Sequence, residues 1–147
     1  MNEPTTFLLR RVVAEMDAYA DELLRREFGT TFATFMFLAV TAAMPGADVT
    51  TLGRAAGMSK AAASKRIPPL VEEGLLTSSR DPHHGRRLHI APTERALALV
   101  GTAGARLEAE FASLLTSHAG LDEPTLRGQV EALAEALAIA PTTGEAP

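Results

Sequence analysis

The sequence has no cysteine and no tryptophan, and only 5% of its 147 residues are aromatic. Without thiols, disulfide bonds, thiolate zinc sites, cysteine nucleophiles and thiol redox switches are excluded. No apolar run reaches the length of about 18 residues that a membrane-spanning helix needs. The first residues, MNEPTTFLLRR, also lack the basic-then-apolar order of a signal peptide. We therefore expect a soluble, cytoplasmic protein that does not contact a membrane.

Motifs of catalysis and of cofactor binding are missing as well. There is no nucleophile elbow, no Ser-His-Asp order and no pair of carboxylates in a glycine-rich setting. Three histidines, His83, His84 and His89, lie close together in the sequence, and zinc favours imidazole ligands. However, the chain has no cysteine, and the nearby acidic side chains are limited to Asp81. We therefore expect these histidines to lie at the surface or to contact phosphate. The sequence predicts no enzyme, no cofactor and no metal site.

The charge is distributed unevenly along the chain. The whole chain carries a net charge of −4, but residues 50–95 hold eight basic side chains against four acidic ones, a local charge of +4. The rest of the chain, with six basic and fourteen acidic side chains, carries −8. A basic centre between acidic flanks is typical of a nucleic-acid-binding segment with solvated helices on either side.

Hydrophobic spacing predicts two helices in the first part of the chain. Apolar residues recur every three or four positions over 4–28, which indicates an amphipathic helix that ends at Gly29. A nearly all-apolar helix, FATFMFLAVTAAM, follows a cap at Thr30 or Thr31 and belongs in the core. The apolar stripe of the first helix consists of Leu8, Val12, Met16, Tyr19 and Leu23.

The basic centre has the layout of a helix-turn-helix followed by a hairpin. A short helix around LGRAAG, a tight turn at Gly57 and a further helix opened by Ser59 follow one another within about twenty residues. Residues 75–92, LLTSSRDPHHGRRLHIAP, then form two extended stretches around a connector over 81–85. Proline and glycine in that connector predict a β-hairpin with a loop longer than two residues.

Long amphipathic helices at both ends of a small domain need a surface to pack against. We expect the helices over about 4–28 and 93–139 to pack against their copies in a two-fold dimer, which places two basic centres on one side. Two recognition elements about 34 Å apart would meet successive major-groove turns of DNA. A monomer with an ordinary helical core is the alternative. The polar segment 140–147 is expected to be disordered.

Residues 52–93, LGRAAGMSKAAASKRIPPLVEEGLLTSSRDPHHGRRLHIAPT, resemble the winged helix-turn-helix core of the MarR family of bacterial transcriptional regulators. The glycine turn, the serine-led recognition helix, LVEEGL, the wing sequence DPHHGR and the threonine that opens the next helix carry the resemblance. It implies a mainly α fold in which a winged lobe over about 31–92 is flanked by dimerisation helices. It also implies a homodimer whose recognition helices enter major grooves of double-stranded DNA and whose wings reach minor grooves.

The resemblance places the DNA contacts on the recognition helix and the wing. A helix N-terminus attracts phosphate, and short side chains allow close approach to base edges. The narrow minor groove attracts an arginine through its negative potential. The expected contacts are the phosphate-binding Arg54, Lys60 and Arg66, the base- or phosphate-binding Ser64 and Lys65, the short Ser59, Ala61 and Ala62, and the wing residues His84, Arg86 and Arg87.

Three features depart from the family pattern, and one of them is Pro92, which replaces the usual leucine before Thr93 and should rigidify the corner between the strand and the next helix. Pro68 and Pro69 deprive the carbonyls of Ser64 and Lys65 of N–H partners, at a cost on the order of 3 kcal/mol per proline. We expect a kink near these prolines, with a complete break of the helix as the alternative. His84 stands where the family has an acid beside the wing arginine. Either its protonation makes wing affinity depend on pH, or it contacts phosphate.

Two classes of function remain open. In the first, the protein is a ligand-responsive repressor that binds a palindromic operator and is released by a small aromatic or amphipathic effector bound between the dimerisation helices and the DNA-binding lobe. Phe35, Met36 and Phe37 are candidates for lining such a site and are equally suited to the core. In the second, it is a DNA-architectural or protein-interaction module without an effector.

Overall fold

The computed structural model describes residues 2–139 and, within them, confirms a mainly α fold with a two-stranded wing. Residues 140–147, for which we expect disorder, lie outside the described residues. The elements are α1 (Thr5–Phe28), α2 (Phe32–Ala43), α3 (Val49–Ala55), α4 (Lys60–Glu72), β1 (Leu76–Arg80), β2 (Leu88–Pro92), α5 (Glu94–Thr116) and α6 (Glu123–Ile139).

Two compact units make up the chain, with the boundary between Ala105 and Arg106 inside α5. The first unit holds α1 to α4, the hairpin and the first half of α5. The second unit holds the rest of α5 and α6. There, Asp122 caps α6, because its carboxylate accepts a hydrogen bond from the backbone N–H of Thr125 at 3.0 Å.

Side-chain caps fix where the helices of the first unit begin. Thr31, Asp48, Ser59 and Thr93 each accept a hydrogen bond from the backbone N–H three residues further on, at 2.7 to 3.3 Å. Each cap satisfies one of the N–H groups that a helix start leaves without a partner. The caps at Ser59 and Thr93 confirm the predicted starts of α4 and α5, and Thr31 is one of the two caps that the sequence offers for α2.

The core of the first unit lies among α2, α3, α4 and the hairpin. Phe37 and Leu38 are fully buried, as the apolar sequence of α2 predicts, and burial of such a side chain contributes about 1.5–3 kcal/mol. Ile67 and Leu70 lie on the buried side of α4, so the opposite side of that helix faces solvent. The buried residues of this core are Phe37, Leu38, Leu52, Ala63, Ile67, Leu70, Leu75, Leu76, Ile90 and Ala96.

The proline pair lies inside a continuous α4. This helix runs from Lys60 to Glu72 with Pro68 and Pro69 in its interior, so a complete break at the prolines is wrong. A proline has no N–H, and the carbonyls of Ser64 and Lys65 therefore have no i+4 partner. Burial of the apolar side of α4 keeps the helix together despite those missing bonds. The kink itself stays a prediction.

The hairpin forms the predicted wing. Its strands pair antiparallel, with Leu76 opposite Pro92 and Arg80 opposite Leu88. Leu76 and Ile90 point into the core, whereas most other strand side chains are exposed or half-buried. One face of the wing is therefore anchored on the first unit, and the connecting loop projects from its far end.

Much of the predicted apolar stripe of α1 is exposed in the single chain. Only Ala20, Leu23 and Leu24, near the end of the helix, are buried. The earlier apolar side chains expose 40% to 65% of their surface, and these are Phe7, Leu8, Leu9, Val12, Val13, Met16 and Tyr19. Among residues 2–139, the structure contains no helix long and apolar enough to cross a membrane.

Candidate nucleic-acid interface

Most of the side chains that are expected to contact DNA are accessible. The start of α4 presents short side chains and two ammonium groups to solvent, while Ala63 on the opposite side is fully buried. The α4 surface can therefore approach a ligand closely without disturbing the core. Exposed members of the expected set are Arg54, Ser59, Lys60, Ala61, Ser64, Lys65, His84, Arg86 and Arg87, and the half-buried members are Ala62 and Arg66.

Backbone hydrogen bonds close the wing loop. The N–H of Asp81 donates to the carbonyl of Arg87 at 3.0 Å, and the N–H of Arg87 donates to the carbonyl of His84 at 2.7 Å. The carboxylate of Asp81 accepts a further bond from the N–H of His83 at 2.8 Å. The loop is thus held by its own bonds, and the side chains of His84 and Arg87 stay exposed.

Arg80 supports the tip of the wing from the end of β1. Its Nη1 donates to the carbonyl of Gly85 at 3.0 Å, next to the exposed Arg86. This bond fixes the chain just before the arginine that is expected in the minor groove. Sequence reasoning counted Arg80 only as a charge, and nothing in the local pattern distinguishes a loop-bracing arginine from a solvated one.

Asp48 links the wing electrostatically to the start of α4. Hydrogen bonds from the backbone N–H and the hydroxyl of Thr51 lower the pKa of Asp48, and the positive charges of Arg87 and Lys60 lower it further. A cation of the wing loop and a cation of the first turn of α4 thus both favour the charged form of this carboxylate.

Arg66 differs from the other expected contacts. It is half-buried, and its Nη1 lies 3.4 Å from the hydroxyl oxygen of Thr34 on α2. Its Nε is buried and has no hydrogen-bond partner. The guanidinium is thus directed towards α2 in the structure, and a phosphate contact by Arg66 stays a prediction that requires the side chain to reorient.

The histidines of the hairpin do not form a metal site in the described part of the chain. His83, His84 and His89 are exposed. No group of three or more histidine or acidic side chains within residues 2–139 is placed to hold a metal ion.

Two residues join the end of α4 to the start of α5: Thr93, which the sequence already places at the start of α5, and Arg95, which sequence reasoning counted only as a charge. The Nη1 of Arg95 donates to the carbonyl of Glu73 at 2.6 Å, and the hydroxyl of Thr93 donates to the carbonyl of Gly74 at 2.7 Å. Both acceptors are carbonyls at the C-terminal end of a helix, where positively charged groups and hydroxyl donors are favoured. The bonds fix the corner between the recognition helix and α5.

Comparison with protein-family models adds evidence from sequence alone. A model described as the MarR family matches residues 28–87, which extend from the end of α1 to the end of the wing loop. No curated protein sequence matches the chain.

Solved structures extend the likeness to nearly the whole chain. The MarR family protein Rv2887 of Mycobacterium tuberculosis, solved with salicylic acid, is 26% identical, with coverage of 91% of this chain and 96% of that one and a TM-score of 0.70. The S. aureus MepR–DNA complex is 19% identical, covers 95% of this chain and 100% of that one, and has a TM-score of 0.75. Bordetella bronchiseptica BpsR, studied for regulation of its DNA binding by 6-hydroxynicotinic acid, is 23% identical and has a TM-score of 0.76. The match covers 95% of this chain and 96% of that one. The last two likenesses concern the fold alone.

Proposed function

This chain belongs to the MarR family of winged helix-turn-helix transcriptional regulators, and on that premise we propose that it is a ligand-responsive repressor that binds a pseudo-palindromic operator as a homodimer. MarR proteins are DNA-binding transcription regulators, not enzymes. The proposal therefore concerns which DNA the protein reads, in what oligomeric state, and how its binding is switched.

The exposed cations of the recognition helix and the wing carry the proposal for DNA reading. Lys60 opens the recognition helix, Arg87 belongs to the wing loop, and both side chains are exposed. A duplex that meets both elements would bring several phosphates to these cations. Such contacts position a protein on DNA, while side chains such as those of Ser64 and Lys65 reach base edges.

The exposed face of α1 supports the homodimer. Its exposed apolar side chains include Val13 at 56% and Tyr19 at 54% exposure, which is costly for a lone chain in water. A two-fold partner that covers this face with the same face of its own would place two recognition helices on one side.

Similar structures support a small-molecule effector. Rv2887 is described in complex with salicylic acid, and BpsR with regulation by 6-hydroxynicotinic acid. Both molecules are small aromatic acids, and we propose an effector of that class for this chain. Phe37 is fully buried and Phe35 nearly so, so these two side chains belong to the core in the structure, while Met36 is half-buried.

Fluorescence anisotropy tests DNA reading. The purified full chain is titrated onto the DNA that flanks its own gene and onto a scrambled duplex, across a salt series. A preference of about 10³-fold or more for the flanking DNA at physiological salt is expected of an operator-binding regulator. Equal binding with a steep salt dependence would instead favour the architectural module, and loss of the complex with the flanking DNA on addition of salicylate would favour the repressor.

A further inference from the structure

Pro68 and Pro69 leave two main-chain carbonyls in the middle of the recognition helix without amide donors. In a regular helix the carbonyls of Ser64 and Lys65 accept from the N–H groups four residues further on, where this chain has prolines. The carbonyl of Lys65 lacks a donor three residues further on as well, because Pro68 occupies that position. At the end of the helix the N–H of Glu73 again donates to the carbonyl of Pro69, at 2.9 Å. The helix therefore continues past two open acceptors.

These carbonyls belong to the exposed side of the helix. The side chains of Ser64, Lys65 and both prolines are exposed. The buried side is formed by Ala63, Ile67 and Leu70. Within residues 2–139, no side chain donates a hydrogen bond to either carbonyl. Water can satisfy both acceptors in the free protein, but a ligand that displaces the water has to supply donors of its own, because an unpaired acceptor is costly.

The same stretch of α4 offers few other acceptors. Residues 60–71 contain no asparagine, glutamine, aspartate or glutamate, which are the side chains that pair with the amino groups of adenine and cytosine. Lysine and arginine side chains only donate, and the hydroxyl of Ser64 is the one side-chain acceptor in this stretch. Without the open carbonyls, the helix would have donors for the oxygen and nitrogen acceptors of the bases and almost nothing for their amino groups.

We propose that the carbonyls of Ser64 and Lys65 read the operator by accepting hydrogen bonds from amino groups of adenine or cytosine in the major groove. The proline pair is then a specificity determinant, because it frees these carbonyls. A thymine or guanine at the same place would face the carbonyl with an oxygen acceptor and be disfavoured. The inference rests on the proposed function, because it names the bases that the recognition helix reads.

Fluorescence anisotropy with base analogues tests this reading. In the operator from the flanking DNA, each adenine is replaced in turn by purine and each cytosine by 2-pyrimidinone, analogues that lack the exocyclic amino group. Each duplex is titrated with the wild-type full chain and with the double variant Pro68→Ala, Pro69→Ala, in which alanine restores both N–H groups. Altered base pairing in the duplex affects both proteins alike, so the difference between them reports the contact with the carbonyls.

Loss of the amino group at one or two positions of each half-site should weaken wild-type binding about fivefold to tenfold, because a hydrogen bond is lost and a carbonyl is left unpaired. The double variant should lose little at those positions and bind the unmodified operator more weakly than the wild type does. It should also be more stable in urea, so weaker binding is not caused by unfolding. Pro124→Ala is the control, because this exposed proline lies in the first turn of α6, where N–H groups have no acceptor within the helix.

Three results would overturn the inference: no analogue position that weakens the wild type, equal losses for the wild type and the double variant at every position, or a double variant that is no more stable than the wild type. A kink that only shapes the helix predicts the second result. In all three cases the proposed function stands if the wild type prefers its operator to the scrambled duplex. If it has no such preference, the proposed function fails and the inference fails with it.

Discussion

Gly53 of α3 and Ala63 of α4 approach so closely that a Cβ atom on Gly53 would lie 3.1 Å from the Cβ of Ala63. The same atom would lie 3.3 Å from the carbonyl oxygens of Met58 and Ser59, which belong to the turn and to the cap of α4. The backbone of α3 at Gly53 therefore packs directly against the side chain of Ala63 on α4, without room for a methyl group. The position of the recognition helix depends on this contact.

Gly53→Ala should destabilise the fold. The added methyl group gains helix propensity of up to about 1 kcal/mol, but overpacking costs about 1–3 kcal/mol, and two of its close neighbours are backbone atoms that cannot move alone. Gly128→Ala is the matched control, because this glycine also lies within a helix and its Cβ would meet nothing within 4 Å. Urea denaturation should show a lower free energy of unfolding for Gly53→Ala and no decrease for Gly128→Ala. Equal stability of the two variants would contradict the close packing.

Pro68→Ala should stabilise the protein. Alanine supplies the N–H that the carbonyl of Ser64 lacks, and Pro68 is exposed, so little packing is lost. The gain in the free energy of unfolding is up to about 3 kcal/mol. It is reduced by about 0.4–1 kcal/mol, because replacing proline by alanine raises the conformational entropy of the unfolded chain. Thermal and urea denaturation measure the difference. If the kink shapes the DNA-facing surface, the same variant loses operator affinity, and a variant of unchanged stability would mean that this carbonyl is already satisfied.

Lys65→Ala and Arg86→Ala should weaken DNA binding in different ways. Loss of a phosphate contact by Lys65 lowers affinity for every sequence and reduces the slope of log affinity against log salt by about 1. Loss of Arg86 should lower the affinity for the operator about tenfold and the affinity for the scrambled duplex less. The reason is that the minor-groove potential that attracts an arginine depends on the DNA sequence. Arg127→Ala, in an exposed ion pair of α6 with Glu123, is the control. Anisotropy curves that match the wild type would remove these residues from the interface.

Three aspartates make the fold sensitive to acid. The pKa of Asp21 is lowered by a hydrogen bond from Arg25, that of Asp48 by the N–H of Thr51, and that of Asp122 by the hydroxyl of Thr125. Their contribution to stability is present above the unfolded pKa of about 4 and is lost as pH falls through the lower folded values.

The triple variant Asp21→Asn, Asp48→Asn, Asp122→Asn should therefore lose less stability than the wild type between about pH 5 and pH 2. Asparagine keeps a side-chain oxygen that accepts hydrogen bonds at each position but carries no charge. Asp17→Asn, which changes an exposed aspartate of α1 that has no hydrogen bond within residues 2–139, is the control substitution. The measurement is the melting temperature of both proteins between about pH 5 and pH 2. Parallel curves of melting temperature against pH for the wild type and the triple variant would contradict the prediction.

Local signals explain why most of the fold follows from the sequence. Capping residues such as Ser59 and Thr93 act on the N–H groups three positions on, so the starts of their helices can be read from short windows. The bonds from Arg80 to Gly85 and from Arg95 to Glu73, and the lack of space at Gly53, depend on residues that the fold brings together. The spacing of these residues in the sequence does not distinguish an arginine that makes such a bond from one that is only solvated.

Val13→Asp should disrupt the proposed homodimer without unfolding the chain. Val13 exposes 56% of its surface on α1, so the single chain loses little packing, whereas a carboxylate buried in a two-fold interface would face its own copy without a partner charge. Sedimentation equilibrium should show a dimer for the wild type and a monomer for the variant at micromolar concentration. Operator affinity should fall steeply, because one recognition helix loses the second half-site. Asp17→Asn again serves as the control on the same helix, and a variant that stays dimeric would exclude the exposed face of α1 from the interface.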